Sequence, residues 1–569
     1  MHTVVSAFRP LLRISRRGTS RIYQDLAACR TLQTRAVSDP SIQQLIMDGS
    51  QKIRTANHTT KPRIGIVGAG IAGLRCADIL LKHGFDVTIL EARDRIGGRA
   101  HQVTLPSGYS VDLGPNWIHG TEHNPILDLA KQTNTPTHTW DAKSHVFGED
   151  GTILKEGPSL MESMWNIVVQ GFKDSAKNTS TIDSQKSLHD FFSEKVHELH
   201  PGPGEEEIRR KVVMQMSELW GAFVGSPVTT QSLKFFWLEE CLDGENLFCA
   251  GTYKNIISQI AEPAKKHADI KLSTKVVCVK SGTENVKLRT VNGLELEFDE
   301  VVMTNPLGWL KINKDVFTPP LPDRFSQAID SIGYGSLEKV YITFPKAFWL
   351  KEGVPDSDQF TSFTQWLSPF YAADTNPKLW SQEAVDLSTL PGSCKHPTML
   401  YYMYGAQSIA LSNSLSALPT EQEKQDYLIK FFKPYFSRLP SYSETSPDCV
   451  PTSCLFSDWI RDEYAGYGSY TTFRTGLTEG DKDIEIMREG LPGRSLWFAG
   501  EHTAPFVALG TVTGAYWSGE AVGERIAEAY GMGHVARGRV GSIPDLDDLD
   551  TTGLKEVNFR GFADSLLEK

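Results

Sequence analysis

The sequence predicts an α/β fold organised around a Rossmann-like dinucleotide-binding unit, and three observations predict it. Residues 63–74 read R-I-G-I-V-G-A-G-I-A-G-L: an apolar run, a glycine turn and the start of a helical spacing, in that order. A second apolar run, Asp86 to Leu90, ends on Glu91, at the distance where an acidic side chain takes ribose hydroxyls. The chain is 569 residues long, 40% hydrophobic and 22% charged, which is enough apolar content for two linked domains.

Each element follows from its residues. Ile64 to Val67 is expected as a buried parallel strand, Gly68-Ala69-Gly70 as the tight turn and Ile71 to His83 as the helix. Gly68, Gly70, Ala72 and Gly73 are the candidate cofactor residues here, with Gly73 letting helix and strand approach closely. The turn aims backbone N–H groups and a helix N-terminus at a pyrophosphate. Glu91 would repel a 2′-phosphate, which argues against NADP. Then come Ala92, Arg93, Arg95, Gly97, Gly98 and Arg99, a basic glycine-bearing loop expected to add cationic donors to the same anionic cofactor. That continuation points to flavin, as FAD, rather than to nicotinamide.

Further along, the stretch 160–245 has helical periodicity broken by polar runs at Lys173 to Lys186 and His200 to Glu207, and is expected as a helical cap. Ala250-Gly251-Thr252-Tyr253 opens a helix, while Ile270 to Val279 and Leu296 to Thr304 alternate like strands. Val340 to Phe344 and Thr398 to Tyr404 are further strands. Between them, Lys351 to His396 is rich in Pro, Asp and Ser and is expected as a long surface excursion.

The ends and the composition narrow the class. Residues 1–38 carry seven arginines and one acid, Asp25, the composition of a mitochondrial transit peptide, with a disordered basic tail or an erroneous start as the alternatives; a mitochondrial or cytoplasmic location is expected. Without that segment the formal charge is −17, which disfavours nucleic acid and favours a cationic ligand at long range. No apolar stretch reaches the ~18 uninterrupted residues of a membrane span. The polar tail 531–569 carries no hydrophobic anchor and no peroxisomal signal. Eight cysteines lack C-x-x-C spacing, so no zinc site or disulfide framework is expected.

Three blocks carry a resemblance: E-A-R-D-R-I-G-G-R from Glu91, D-L-G-P-N-W-I-H-G from Asp112 to Gly120, and L-W-F-A-G-E-H-T from Leu496 to Thr503. Together they span most of the chain and resemble the flavin amine oxidases, a family of polyamine oxidases, monoamine oxidases and flavin-type histone demethylases. The resemblance implies an FAD-binding Rossmann-like domain, of the two-dinucleotide-binding-domain flavoprotein type, interleaved with an α+β substrate-binding domain. The expected cofactor segments are 62–134, 250–330 and 451–530, the substrate segments 135–249 and 331–450, and 39–61 is linker. It also implies that Gly114, Asn116, Trp117, Val276, Gly500, Glu501, Thr511 and Val512 bind cofactor, that Trp459 lies against the isoalloxazine, and that Lys339, in G-S-L-E-K, holds a water at flavin N5. Asn305 stands where the family usually has an apolar residue.

Amine oxidation by a flavin requires orientation, an apolar slot and a polar group reading the amine. By resemblance Tyr470 is one wall of that slot, and Thr511 leaves the other side open where monoamine oxidases have an aromatic residue. Ser469 replaces the cysteine of covalent members, so non-covalent FAD is expected. Thr513 replaces a frequent histidine. The loop W-I-H-G-T-E-H-N-P-I, Trp117 to Ile126, resembles that of animal spermine and acetylpolyamine oxidases, and a neutral His119 would hydrogen-bond a secondary amine. The implied reaction passes hydride from the carbon beside a secondary amine to the flavin; imine hydrolysis and reoxidation by O2 to H2O2 follow. Ser469 and Thr511 disfavour a monoamine oxidase, and the lack of a long helical insertion or DNA-binding module disfavours a demethylase. An L-amino-acid oxidase, a biosynthetic amine oxidase and a flavin-containing binding protein for a steroid-like ligand stay open as rivals.

Overall fold

The computed structural model describes residues 61–140, 144–282, 285–355 and 359–532. The expectations for the transit segment, for residues 39–60 and for the tail beyond residue 532 lie outside the described residues. Along the chain, strand β1 (Arg63–Val67), helix α1 (Ile71–Lys82) and β2 (Asp86–Leu90) form the first unit. After β3 (Ser144–Phe147) come three helices, α2 (Gly157–Asn178), α3 (Leu188–Leu199) and α4 (Glu205–Ser217). Next are α5 (Lys254–His267), β4 (Asp269–Lys271), β5 (Val276–Lys280) and β6 (Glu300–Met303). The later elements are β7 (Leu337–Thr343), β8 (Phe363–Trp366), β9 (Gln382–Asp386), β10 (Thr398–Tyr404), β11 (Ser453–Phe456), β12 (Leu496–Phe498) and α6 (Val512–Ala529).

Two sheets organise these elements. The first is wholly parallel, in the order β12-β6-β1-β2-β4, so strands from three distant stretches of sequence make one surface. The apolar runs of β1 and β6 are buried on both faces, as expected when helices cover a parallel sheet. Helices α1 and α6 pack so closely that a Cβ on Gly519 would stand 2.1 Å from the Ala72 carbonyl oxygen. The second sheet runs β11-β7-β10-β9-β8-β3, antiparallel except for β8 beside β3.

Four expectations are corrected. Ile270 to Val279 is two strands, β4 and β5, in different sheets, because Ser273 has a φ of 50° and the N–H groups of Ser273 and Thr274 donate to the carbonyls of Arg93 and Glu91. Leu296 to Thr304 divides likewise into Glu295–Phe298 and β6. Lys351 to His396 is not a surface excursion: it contributes β8 and β9, and every residue of β9 is buried. The second sheet also runs past the expected return at Pro451, since Ser453–Phe456 pairs with β7. In the helical cap, α2 continues to Asn178, through the first part of the polar run.

Candidate active site

The glycine turn is built by local bonds. Gly68 N–H donates to the Leu90 carbonyl at 2.8 Å, joining the turn to the end of β2. A Cβ on Gly73 would lie 2.1 Å from the Gly68 carbonyl oxygen, so only glycine permits α1 to start this close to β1. Helix α1 has no capping side chain and no acid in its first turn, leaving donors for an anion at its N-terminus. The Glu91 carboxylate accepts from Ala69 N–H (2.7 Å) and Arg93 N–H (2.8 Å), one bond per oxygen, so each retains acceptor capacity for a hydroxyl. The shape and donors of this cradle fit a dinucleotide.

The arginine loop lies against the turn, and its guanidinium groups also bond within the protein. Gly97 N–H donates to the Ala69 carbonyl at 2.8 Å, and a Cβ on Gly98 would meet the Gly70 Cα at 3.3 Å. Arg93, however, directs its guanidinium to both carboxylate oxygens of Asp462 (2.9 and 2.8 Å), and Arg95 turns back to the Gly98 carbonyl (2.9 Å). Arg99 donates to Glu501 (3.0 Å) and to the Ser469 carbonyl (2.6 Å). Two of the three arginines therefore fasten the first cofactor segment to the third, each through one guanidinium nitrogen. Ala92 is half-buried, and Val276 is buried at the start of β5, two residues after Thr274, whose N–H donates to the Glu91 carbonyl.

Lys339 is the centre of the second cluster. Every residue of β7 is buried, so it is a two-faced core strand and not a half-exposed one, and Lys339 is 5% exposed. Its Nζ donates to the carbonyls of Gly114 and Leu113, and the Trp459 indole N–H donates to the same Leu113 carbonyl at 2.9 Å. Burial pushes the Lys339 ammonium down to about 8, against the fields of Asp112 and Glu338. Sequence reasoning missed both acids. Asp112, raised to about 7 by burial, accepts from Tyr253 N–H and the Gln102 amide. Glu338, also raised to about 7 by burial, accepts from the Ser457 hydroxyl and from Ile460 N–H and so positions the Trp459 turn. Its place beside Lys339 in G-S-L-E-K was the available signal.

Around Lys339 the wall is aromatic. Asn116 donates to the Tyr341 hydroxyl (3.2 Å) and the Trp117 indole to the Tyr402 hydroxyl (3.1 Å). Tyr470 donates its hydroxyl to the Phe223 carbonyl (2.6 Å), and a Cβ on Gly510 would stand 3.5 Å from its ring. Glu239, unanticipated, is raised to about 8 by burial, and its field reaches Tyr470. Ser469 donates to the Gly335 carbonyl and accepts from Leu337 N–H; with no thiol at that position, no thioether to a flavin can form.

His119 is half-buried, hydrogen-bonded to Asn246, and held by burial at about 4, hence neutral near pH 7. Asn124 fixes its backbone by donating to the His119 and Gly120 carbonyls (3.0 and 2.9 Å) and accepting from Thr513 at 3.0 Å. Thr513 thus has a role, tying the first turn of α6 to the histidine loop. Thr511 supports the helix end. Its hydroxyl caps α6 by accepting from Gly514 N–H and donates to the Ala508 carbonyl, so its one donor is committed to the helix end and one acceptor lone pair remains. Val512 follows as the first residue of α6, and Gly500 N–H is held by Ser518 (2.9 Å), which sets Glu501 against Arg99.

Comparison with known proteins fits this geometry. Residues 71–527 match the family described as flavin containing amine oxidoreductase. Polyamine oxidase 3 of Oryza sativa subsp. japonica is 28% identical over 485 residues, covering 82% of this chain and 89% of its own. Lysine-specific histone demethylase 2 of Homo sapiens is 26% identical over 485 residues, and the match spans 81% of this chain but only 53% of the demethylase. A redesigned putrescine oxidase structure superposes with a TM-score of 0.61 at 16% identity, over 82% of this chain and 99% of that one, which speaks to fold alone. A cradle shaped for a dinucleotide and a family match over most of the chain agree: this protein belongs to the flavin-containing amine oxidoreductases, with FAD, held non-covalently, as its cofactor.

Proposed function

We propose that the protein is a polyamine oxidase that uses O2 as electron acceptor. The observation that carries the reading is His119: a histidine kept neutral by burial, in a loop clamped to the start of α6, can accept from or donate to an amine without adding a cation to the site. Bound in the cradle, FAD would supply the two-electron oxidation of the carbon beside the amine nitrogen. The chain's own residues do the rest. Trp117, Tyr402 and Tyr470, which pack in one cluster, would exclude water and orient the substrate chain. Lys339, with its ammonium destabilised by burial, would hold the water needed at the flavin edge and exchange a proton with it near neutral pH. The similarity to a rice polyamine oxidase along nearly its whole length supports the same reading.

The test is anaerobic stopped-flow bleaching of the flavin with spermine, N1-acetylspermine, benzylamine, a dimethyl-lysine peptide and several L-amino acids. Rapid bleaching by a polyamine is expected. Bleaching only by amino acids or only by the methylated peptide would reject this function.

A further inference from the structure

The register of the second sheet places Lys339, Tyr402, Glu383 and Gln365 side by side on β7, β10, β9 and β8. Directly paired residues project from the same face, so these four form one polar stripe across the sheet. The residues flanking the stripe on that face, among them Leu337, Tyr341, Leu400 and Val385, are apolar or aromatic and pack with Trp117 and Tyr470. At a strand spacing of about 4.8 Å, Glu383 lies roughly 10 Å across the sheet from Lys339.

Glu383 and Gln365 are 5% and 4% exposed. Gln365 Nε2 donates to Glu383 Oε2 at 3.0 Å, and among the described residues that is the only donor to the carboxyl. The Gln365 Oε1 is buried without a hydrogen bond. Neighbouring hydroxyls do not fill the deficit: Tyr402 is engaged by Trp117 and Asn116, and Tyr404 donates to the Glu218 carbonyl. Burial, against the Gln365 hydrogen bond, pushes Glu383 up to about 7. A buried carboxyl short of donors is costly unless a partner arrives, and an alkylammonium brings three N–H donors and the compensating charge.

We propose that Glu383 and Gln365 form a distal subsite that binds the second ammonium group of a di- or polyamine while the nitrogen to be oxidised sits near Lys339. The flanking apolar face receives the methylenes between the two nitrogens. This rests on the amine-oxidase reading but not on spermine or any other polyamine being turned over. A substrate with an acylated, uncharged distal nitrogen loses the contact.

The holoenzyme is titrated anaerobically with 1-octylamine, 1,8-diaminooctane and N-acetyl-1,8-diaminooctane, following perturbation or bleaching of flavin absorbance. The diamine is expected to bind about tenfold or more tightly than either monocation. The nearly isosteric E383Q and the deletion E383L should bring that ratio to about one, and Q365L should lower it to a smaller extent. Equal affinities in the wild type, or an undiminished ratio in folded, flavin-loaded E383Q, would overturn the subsite. A preference for the diamine without bleaching by any polyamine would reject the polyamine-oxidase function while leaving the subsite standing.

Discussion

At the scale of single residues, Lys339 and His119 make distinct claims. Lys339→Met keeps the length of the side chain and removes the ammonium and its bonds to Leu113 and Gly114. Reoxidation by O2 is expected to slow by about tenfold or more, with bleaching by amine changed much less; double-mixing stopped flow separates the two, and equal slowing of both would assign Lys339 a structural part only. His119, lowered to about 4 by burial, is already neutral at pH 5.5. The pH profile of kcat/KM should therefore lack an inflection near 6.5 that disappears in His119→Ala, and that variant should lose up to about tenfold in kcat/KM, the order of one hydrogen bond. A limb near pH 6.5 abolished by the substitution would show that the histidine is not buried in this way.

At the scale of elements, Asn124 joins three pieces of structure. It caps the helix Pro125–Gln132, holds the carbonyls of His119 and Gly120, and receives Thr513 from α6. Asn124→Ala should cost about 2 kcal/mol or more in denaturant unfolding, because a cap is lost and buried carbonyls are orphaned. Thr513→Val, losing one bond, should cost about 1 kcal/mol and raise KM for the amine; no effect of either substitution would mean the clamp contributes nothing. These contacts also mark the limit of sequence reading. The turn at Gly68 to Gly73 was legible because its code is local. Strand β9 was not, because Gln382, Glu383 and Asp386 look like surface residues and are buried only with partners such as Gln365 and Trp349. The arginine loop was found, and Glu501 stood in a recognised block, yet the pairing of the loop with Asp462 and Glu501, hundreds of residues away, has no local signature.

At the scale of the whole molecule, the buried ionisable groups give stability a direction with pH. Burial raises Asp112, Glu240, Glu338 and Glu383 to about 7, Glu239 to about 8 and Asp386 to about 6. The folded chain therefore binds protons that the unfolded chain has released above about pH 4.5, and this contribution is lost as pH rises through the folded values. Burial also lowers His101, His119, His396 and His502 to about 4, which has the opposite sign, because there the unfolded chain binds the extra proton. The histidine contribution ends near pH 6.5, where the unfolded imidazoles deprotonate. Below that pH the four histidines offset only part of the effect of the six carboxyls, and above it the carboxyls are opposed only as Lys339 and Lys311, each lowered to about 8 by burial, begin to deprotonate. The Tm of the holoenzyme should accordingly fall as pH rises from 5 to about 7.5, with Glu383→Gln and Glu239→Gln each flattening the fall, since an amide at those positions is neutral in both states. A Tm that climbs steadily from pH 6 to 8 would mean that these carboxyls are ionised in the folded protein, and that their surroundings are wetter than their burial implies.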